Sequence, residues 1–186
     1  MVKGGGVYDV QPLRIILSAT GETVSVAIEP VTQADLETTH HEPKWQTDWT
    51  GDYLSNPAYD KFALKSFSGE LIALAAYRIV GNSAFVYIIY AESAPHSNPT
   101  LTSKALRKYS GIGRLLISYG IKYSVDHGCR GDVVFEAKTD ELARHYEEDF
   151  GAKRVASTSS GGPKRYMLAN QDAWRLFSSY LTKEGE

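Results

Sequence analysis

The stretch "SAFVYIIYAE" (Ser83 to Glu92) constrains this chain more than any other, because it is apolar on both sides of a strand. Successive strand residues point to opposite faces, so a run without a polar face needs protein above and below it. It therefore belongs at the centre of a sheet. Ahead of it, "YDKFALKSFSGELIALAAYRIV" reads as two strands joined through Ser68-Gly69, a hairpin signal, and Gly81-Asn82 leads on into the central run. "TVSVAIEPV" (Thr23 to Val31) alternates apolar and polar as a half-buried strand does, "GDVVFEA" is a second buried strand, and "KRYMLA" reads as the final one.

Helical patterns fall between and after these strands. Ile112, Leu115, Leu116, Tyr119 and Tyr123 recur at helical spacing, with Gly128 placed as a C-terminal cap. Thr139 is positioned to cap the next helix, Asp140 and Glu141 complement its dipole, and Leu142, Tyr146 and Phe150 form its inward stripe. Asn170 would cap a short last helix carrying Trp174, Phe177 and Leu181, a cover for the core or a seam between two copies of the chain. Residues 32 to 56 read as helix in pieces, and the four-residue spacing of Trp45, Trp49 and Tyr53 places them on one face. The order is α+β without repeats: a mixed, mostly antiparallel central sheet flanked by helices.

With 186 residues, 42% of them hydrophobic, one core suffices. Residues 1–22, glycine-rich and weakly patterned, are expected as a loose N-terminal arm with at most a short strand at Leu13 to Leu17, and residues 23–186 as a single domain. A formal charge of -2 argues against nucleic acid as the main partner, and no apolar run has membrane-spanning length. The lone Cys129 excludes an internal disulfide, suits a reducing compartment and reads as a buried structural thiol. A cytoplasmic protein is expected. His40 and His41 are adjacent and would diverge on a helix, so no metal site is expected.

"LRKYSGIGRLL" places glycines at the first turn of a helix, where several backbone N–H groups lack partners and a side chain would block an approaching anion. Arg107, Lys108 and Arg114 surround it with positive charge. A dinucleotide fingerprint would need a third glycine where Leu116 stands, and a P-loop would need Gly-Lys-Ser/Thr where Gly113 is followed by Arg114 and Leu115. Neither motif is present.

"KYSGIG" (Lys108 to Gly113) resembles the Gln/Arg-x-x-Gly-x-Gly/Ala motif of the GCN5-related N-acetyltransferases, and "TDELARHYEEDFGAKRV" resembles that family's second motif, a helix with a Tyr-Glu pair before a Gly-aromatic turn. The two occur in order with a buried strand between them, and the resemblance covers roughly residues 23 to 169. Lys108 stands where Gln or Arg is usual, the Tyr-to-Gly stretch has one extra residue, Ala152 takes an aromatic position, and the loop from 93 to 108 is long.

The resemblance implies acetyl transfer from acetyl-CoA, as cosubstrate, to an amine. It implies that backbone amides across Tyr109, Ser110, Gly111, Ile112, Gly113 and Arg114 hold the pyrophosphate, with Lys108 as a further cofactor-binding residue. The strand around Ile89, Tyr90 and Ala91 would receive the pantetheine and thioester, and Thr139 completes the set of cofactor contacts. Tyr146 matches the position whose phenol protonates the departing thiolate. Glu92 is the first candidate for the base that deprotonates the amine, with His96 and Glu136 as rivals. Glu42, Asp48 and Asp52 interleave with Trp45, Trp49 and Tyr53, a composition that suits a cationic amine as well as it suits an ordinary amphipathic segment. The acceptor stays open among small amines, drug-like aminoglycosides, protein amines and the amino acid of a charged tRNA. Two other readings stand beside this one: a non-catalytic acyl-CoA-binding or protein-interaction domain of the same fold, and a nucleotide-binding module.

Overall fold

The chain is described from a computed structural model over residues 8–10, 13–156, 161–179 and 181–183. Its strands are β1 (Tyr8–Val10), β2 (Leu13–Leu17), β3 (Thr23–Pro30), β4 (Asp60–Ser66), β5 (Leu71–Val80), β6 (Phe85–Ser93), β7 (Tyr109–Ser110), β8 (Val133–Ala137), β9 (Lys153–Val155), β10 (Lys164–Leu168) and β11 (Leu181–Lys183). Its helices are α1 (Gln33–Thr38), α2 (Ile112–Asp126), α3 (Asp140–Glu148) and α4 (Asn170–Ser178). Among the described residues, nine strands form one sheet in the order β7-β2-β3-β4-β5-β6-β8-β10-β9, and β1 pairs with β11 apart from it. Every pairing is antiparallel except β6 with β8.

"SAFVYIIYAE" does lie inside the sheet, as its two apolar faces require. The hairpin through Ser68-Gly69 forms with Gly69 at φ +87°, a left-handed conformation that favours glycine. Strand alternation sorts β4 and β5 between two cores. Leu64, Ala73, Ala75 and Tyr77 face the larger one, built with Leu115, Leu116 and Ile121 of α2, Phe135 of β8, and Ala173 and Leu176 of α4. Ala63, Leu74 and Ala76 face the other way, against Trp45, Trp49 and Leu54.

Three expectations need correction. Leu13–Leu17, expected at most as a short strand in a loose arm, is a full member of the sheet between β7 and β3, so the folded part begins before residue 23. Its Ile15 is buried, and that packing holds it; residues 1–7, 11 and 12 lie outside the described residues. Trp45, Trp49 and Tyr53 do not share a helical face. α1 stops at Thr38, and the chain crosses the sheet as turns before a single 3-10 turn at Asp52–Leu54. Trp45 and Trp49 are buried, whereas Tyr53 is 62% exposed. Burial against the sheet, not helical periodicity, fixes the two tryptophans. Finally, the N-cap of α4 is Ala169, and Asn170 is the first helical residue, with φ +54°. α4 covers the core through Ala173 and Leu176.

Trp49→Ala is expected to cost about 3–5 kcal/mol in denaturant unfolding, the range for emptying a large aromatic site. Tyr53→Ala should stay within about 0.5 kcal/mol of the parent, as for an exposed position; equal costs for the two would contradict this packing.

Candidate active site

β6 and β8 run side by side only at Val86↔Val133 and Tyr87↔Val134. The pairing of β6 with β5 slips one residue between Tyr90 and Ile88, leaving Ile89 as a bulge. Beyond it, β6 keeps its antiparallel bonds to β5 but has no pairing with β8, and a gap opens between the two strands. Val86 donates its N–H to Asp132 O on the β8 side, while Ala94 donates to Ile72 O on the β5 side. By alternation, the N–H groups of Ala91 and Ser93 turn toward the gap. Ala91 is exposed although its strand is central.

β7 runs straight into α2. Gly111 at φ +83° makes the turn that a side chain would strain. Leu115 N is the first amide bonded back into the helix, to Gly111 O, which leaves those of Ile112, Gly113 and Arg114 without intrahelical partners. A Cβ on Gly113 would meet nothing within 4 Å. Internal packing therefore does not explain a glycine there, and the open space above three amides fits an anion such as pyrophosphate.

Lys108, expected to face that anion, instead ion-pairs through Nζ with Glu70 Oε1 at 2.6 Å. Tyr109 donates its hydroxyl to Glu70 Oε2 at 2.8 Å and its backbone N–H to Ser97 Oγ at 3.0 Å. Ser97 Oγ lies 2.7 Å from His96 Nδ1, and His96 Nε2 lies 3.2 Å from Glu70 Oε1. The partners define one consistent arrangement: Ser97 donates to Nδ1 and the Nε2–H donates to Glu70. Both nitrogens of His96 are in use. This network ties the loop after β6 and the strand before α2 to the start of β5, so it sets where the amides of α2 stand. Burial works to raise the pKa of Glu70, but the hydrogen bonds from Lys108 and Tyr109 outweigh it and leave it below the usual value. Burial lowers that of His96 despite the neighbouring carboxylate.

Tyr146 hangs from α3 into the larger core. Thr139 starts that helix as expected, its hydroxyl accepting from Leu142 N at 3.2 Å. The phenol ring packs edge-on to Phe135 with centroids 4.8 Å apart, and lies 5.9 Å from Phe150. Burial pushes its pKa up. Its hydroxyl bonds to no described residue, and among the described residues no fully buried polar side-chain atom lacks a partner, so the hydroxyl is not fully buried. A half-buried ring with an unbonded hydroxyl can serve as a proton donor.

Glu92 is held differently from a free strand-end carboxylate. It is 5% exposed, accepting from Gln46 N at 2.7 Å and Trp49 Nε1 at 3.1 Å, and so fastens the segment after α1 to the sheet. Glu136 points to the same face. Its Oε1 accepts from Tyr87 Oη at 2.6 Å and Arg165 Nη2 at 2.9 Å, while its Oε2 accepts from no described residue. Tyr87 is pushed up to about 12 by burial and then by that carboxylate. Phe135 and Glu136 are consecutive, so Tyr146 and Glu136 stand on opposite faces of β8 at the gap. Cys129 is buried, and burial raises its pKa, as suits a structural thiol.

No family model matches the chain, and no curated protein matches it. Solved structures do. The spermidine N-acetyltransferase of Vibrio cholerae in complex with CoA and spermine superposes with TM-score 0.53 at 15% identity, over 80% of this chain and 97% of that one. The spermidine/spermine N-acetyltransferase SpeG of the same organism, in complex with manganese ions, gives 0.53 at 14% identity over 83% and 96%. The chain thus has the fold of the GCN5-related N-acetyltransferases, the mixed α+β sheet implied by its two motifs.

The His96 network has a pH signature. A histidine whose folded pKa lies below its unfolded value of about 6.5 binds protons more readily unfolded, so its contribution to stability is present above that pH and is lost as the pH falls through it. Unfolding free energy measured from pH 7 to 5 is expected to fall, and His96→Gln should flatten that slope.

Proposed function

We propose that this chain is an N-acetyltransferase that passes the acetyl group of acetyl-CoA directly to a primary amine within a ternary complex. The observation that carries the proposal is the gap between β6 and β8, with Tyr146 on one face, Glu136 on the other, and three amides at the start of α2 that have no partner among the described residues.

Bound acetyl-CoA would supply an activated thioester carbonyl and a thiolate leaving group. The amides of Ile112, Gly113 and Arg114 hold the pyrophosphate, with the α2 dipole in support. The turned N–H groups of Ala91 and Ser93 receive the pantetheine and the carbonyl oxygen; one such preorganised donor is worth about 3 kcal/mol of barrier. Tyr146 gives its hydroxyl proton to the departing sulfur, and its raised pKa keeps that proton in place until then.

The base assignment turns on which lone pairs are open. Glu92 spends both carboxylate oxygens on Gln46 and Trp49, and His96 spends both ring nitrogens on Ser97 and Glu70. Glu136 keeps Oε2 unbonded among the described residues. We therefore assign the amine's proton to Glu136, with Glu92 and His96 as positioning residues and Arg165 holding the carboxylate in place.

The first test is the thermal midpoint with acetyl-CoA, CoA and ATP. Both CoA forms at about 100 times their dissociation constant should add about 2.7 kcal/mol, and ATP little. Gly113→Glu puts a carboxylate into the anion space without steric conflict, so it should fold and lose the CoA shift. No shift with either CoA form in the parent would overturn the proposal.

Tyr146→Phe and Glu136→Gln should each lower kcat by about 10²–10⁴, with CoA affinity retained. An undiminished kcat in Tyr146→Phe would remove the phenol from the chemistry.

A further inference from the structure

The ring of Tyr90 already carries a cation. Lys138 Nζ sits 3.6 Å from its centroid, much closer than Lys108 to Tyr109 at 5.1 Å or Arg165 to Tyr87 at 5.2 Å. The ring is held from several sides. Its hydroxyl takes a hydrogen bond from Thr47 Oγ1 at 2.6 Å, and Trp49 and Tyr53 stand edge-on to it at 5.8 and 6.3 Å. Lys138 itself is exposed, and this ring is its only polar partner among the described residues. The seat is rigid and its occupant is a tethered, flexible side chain.

The place of the contact matters as much as its geometry. Tyr90 follows the bulge at Ile89 on the half of β6 that leaves β8, and Lys138 follows the last residue of β8. The ammonium therefore bridges the mouth of the gap. Glu136 lies two residues earlier on β8, on the same side, and it and Tyr90 both bear electrostatically on Tyr53, whose pKa is raised first by burial and then by these neighbours. An aromatic face and a carboxylate with an open oxygen make a site for an alkylammonium group, and Lys138 fills it as such a group would.

We propose that the face of Tyr90 is the seat of the acceptor's ammonium group, and that Lys138 is a tethered competitor which swings off when a cationic amine binds. This rests on the transferase reading and deepens it: the acceptor is an aliphatic primary ammonium ion, not a neutral or aromatic amine. Lys138 then sets acceptor affinity without taking part in the chemistry.

The test is a ligand-observed magnetic resonance titration of the CoA-saturated protein with putrescine, using neutral butanediol as the control. Lys138→Ala should tighten putrescine binding by about two- to thirty-fold, the range of a cation–ring contact, and leave butanediol unaffected. Lys138→Arg, which keeps a cation for the ring, should bind as the parent does. Tyr90→Leu should weaken binding and abolish the gain from Lys138→Ala, whereas Tyr90→Phe, which keeps the ring and removes only the hydroxyl, should preserve that gain. A gain that persists in the Tyr90→Leu background would mean simple charge removal and would overturn the seat. So would unchanged binding in Lys138→Ala, or no putrescine binding to any variant while CoA still shifts the thermal midpoint. Loss of that CoA shift in the parent would instead strike the transferase reading beneath it.

Discussion

Two strands that stay together for two residue pairs and then part are the constraint on which this structure depends. A central strand without a neighbour leaves peptide groups that must find other partners, and exposes side chains that the sheet would otherwise cover. Here β6 is held firmly to β5 on one side, so all of the opening falls on the β8 side. The bulge at Ile89 concentrates the change of direction at one residue. Everything with chemical potential gathers at that opening: Tyr146 from one face, Glu136, Tyr90 and Lys138 from the other.

Most charged groups near the opening act as fasteners. Glu92 pins the segment carrying Trp45 and Trp49 across the smaller core, and Glu70 draws Lys108, Tyr109 and His96 into one cluster beside the start of α2. Carboxylates withdrawn from water in whole, as Glu92 is, or in part, as Glu70 is, are costly to leave unpaired, so their donors are fixed by the fold and unavailable for proton transfer. Glu136 differs because its two oxygens have different surroundings. One is committed to Tyr87 and Arg165, and the other is open.

Much of the framework could be read along the chain. The doubly apolar "SAFVYIIYAE", the Ser68-Gly69 hairpin, Thr139 as a cap and the glycines at 111 and 113 each follow from a local rule, and each is found where that rule puts it. The four-residue spacing of Trp45, Trp49 and Tyr53 misled for a physical reason. Pro43 and the turns from residue 39 onward deny the segment a helix, and the large rings are placed by the sheet beneath them. Leu13–Leu17 was faint in the sequence because a short strand gains its stability from the neighbours it pairs with.

What the sequence determined by itself is the central strands, the two helices after them and the glycine turn that opens α2, since strand faces, caps and positive-φ glycines depend on contacts a few residues apart. The tertiary structure alone decided which polar groups are spent and which are open. Glu92 meets Trp49 across 43 residues, Glu136 meets Tyr87 across 49, and Lys138 reaches Tyr90 only because β6 and β8 are brought together and then allowed to diverge. A carboxylate or an ammonium carries no mark in the sequence of the partner that will occupy it; that is settled by which strands become neighbours and where their pairing stops.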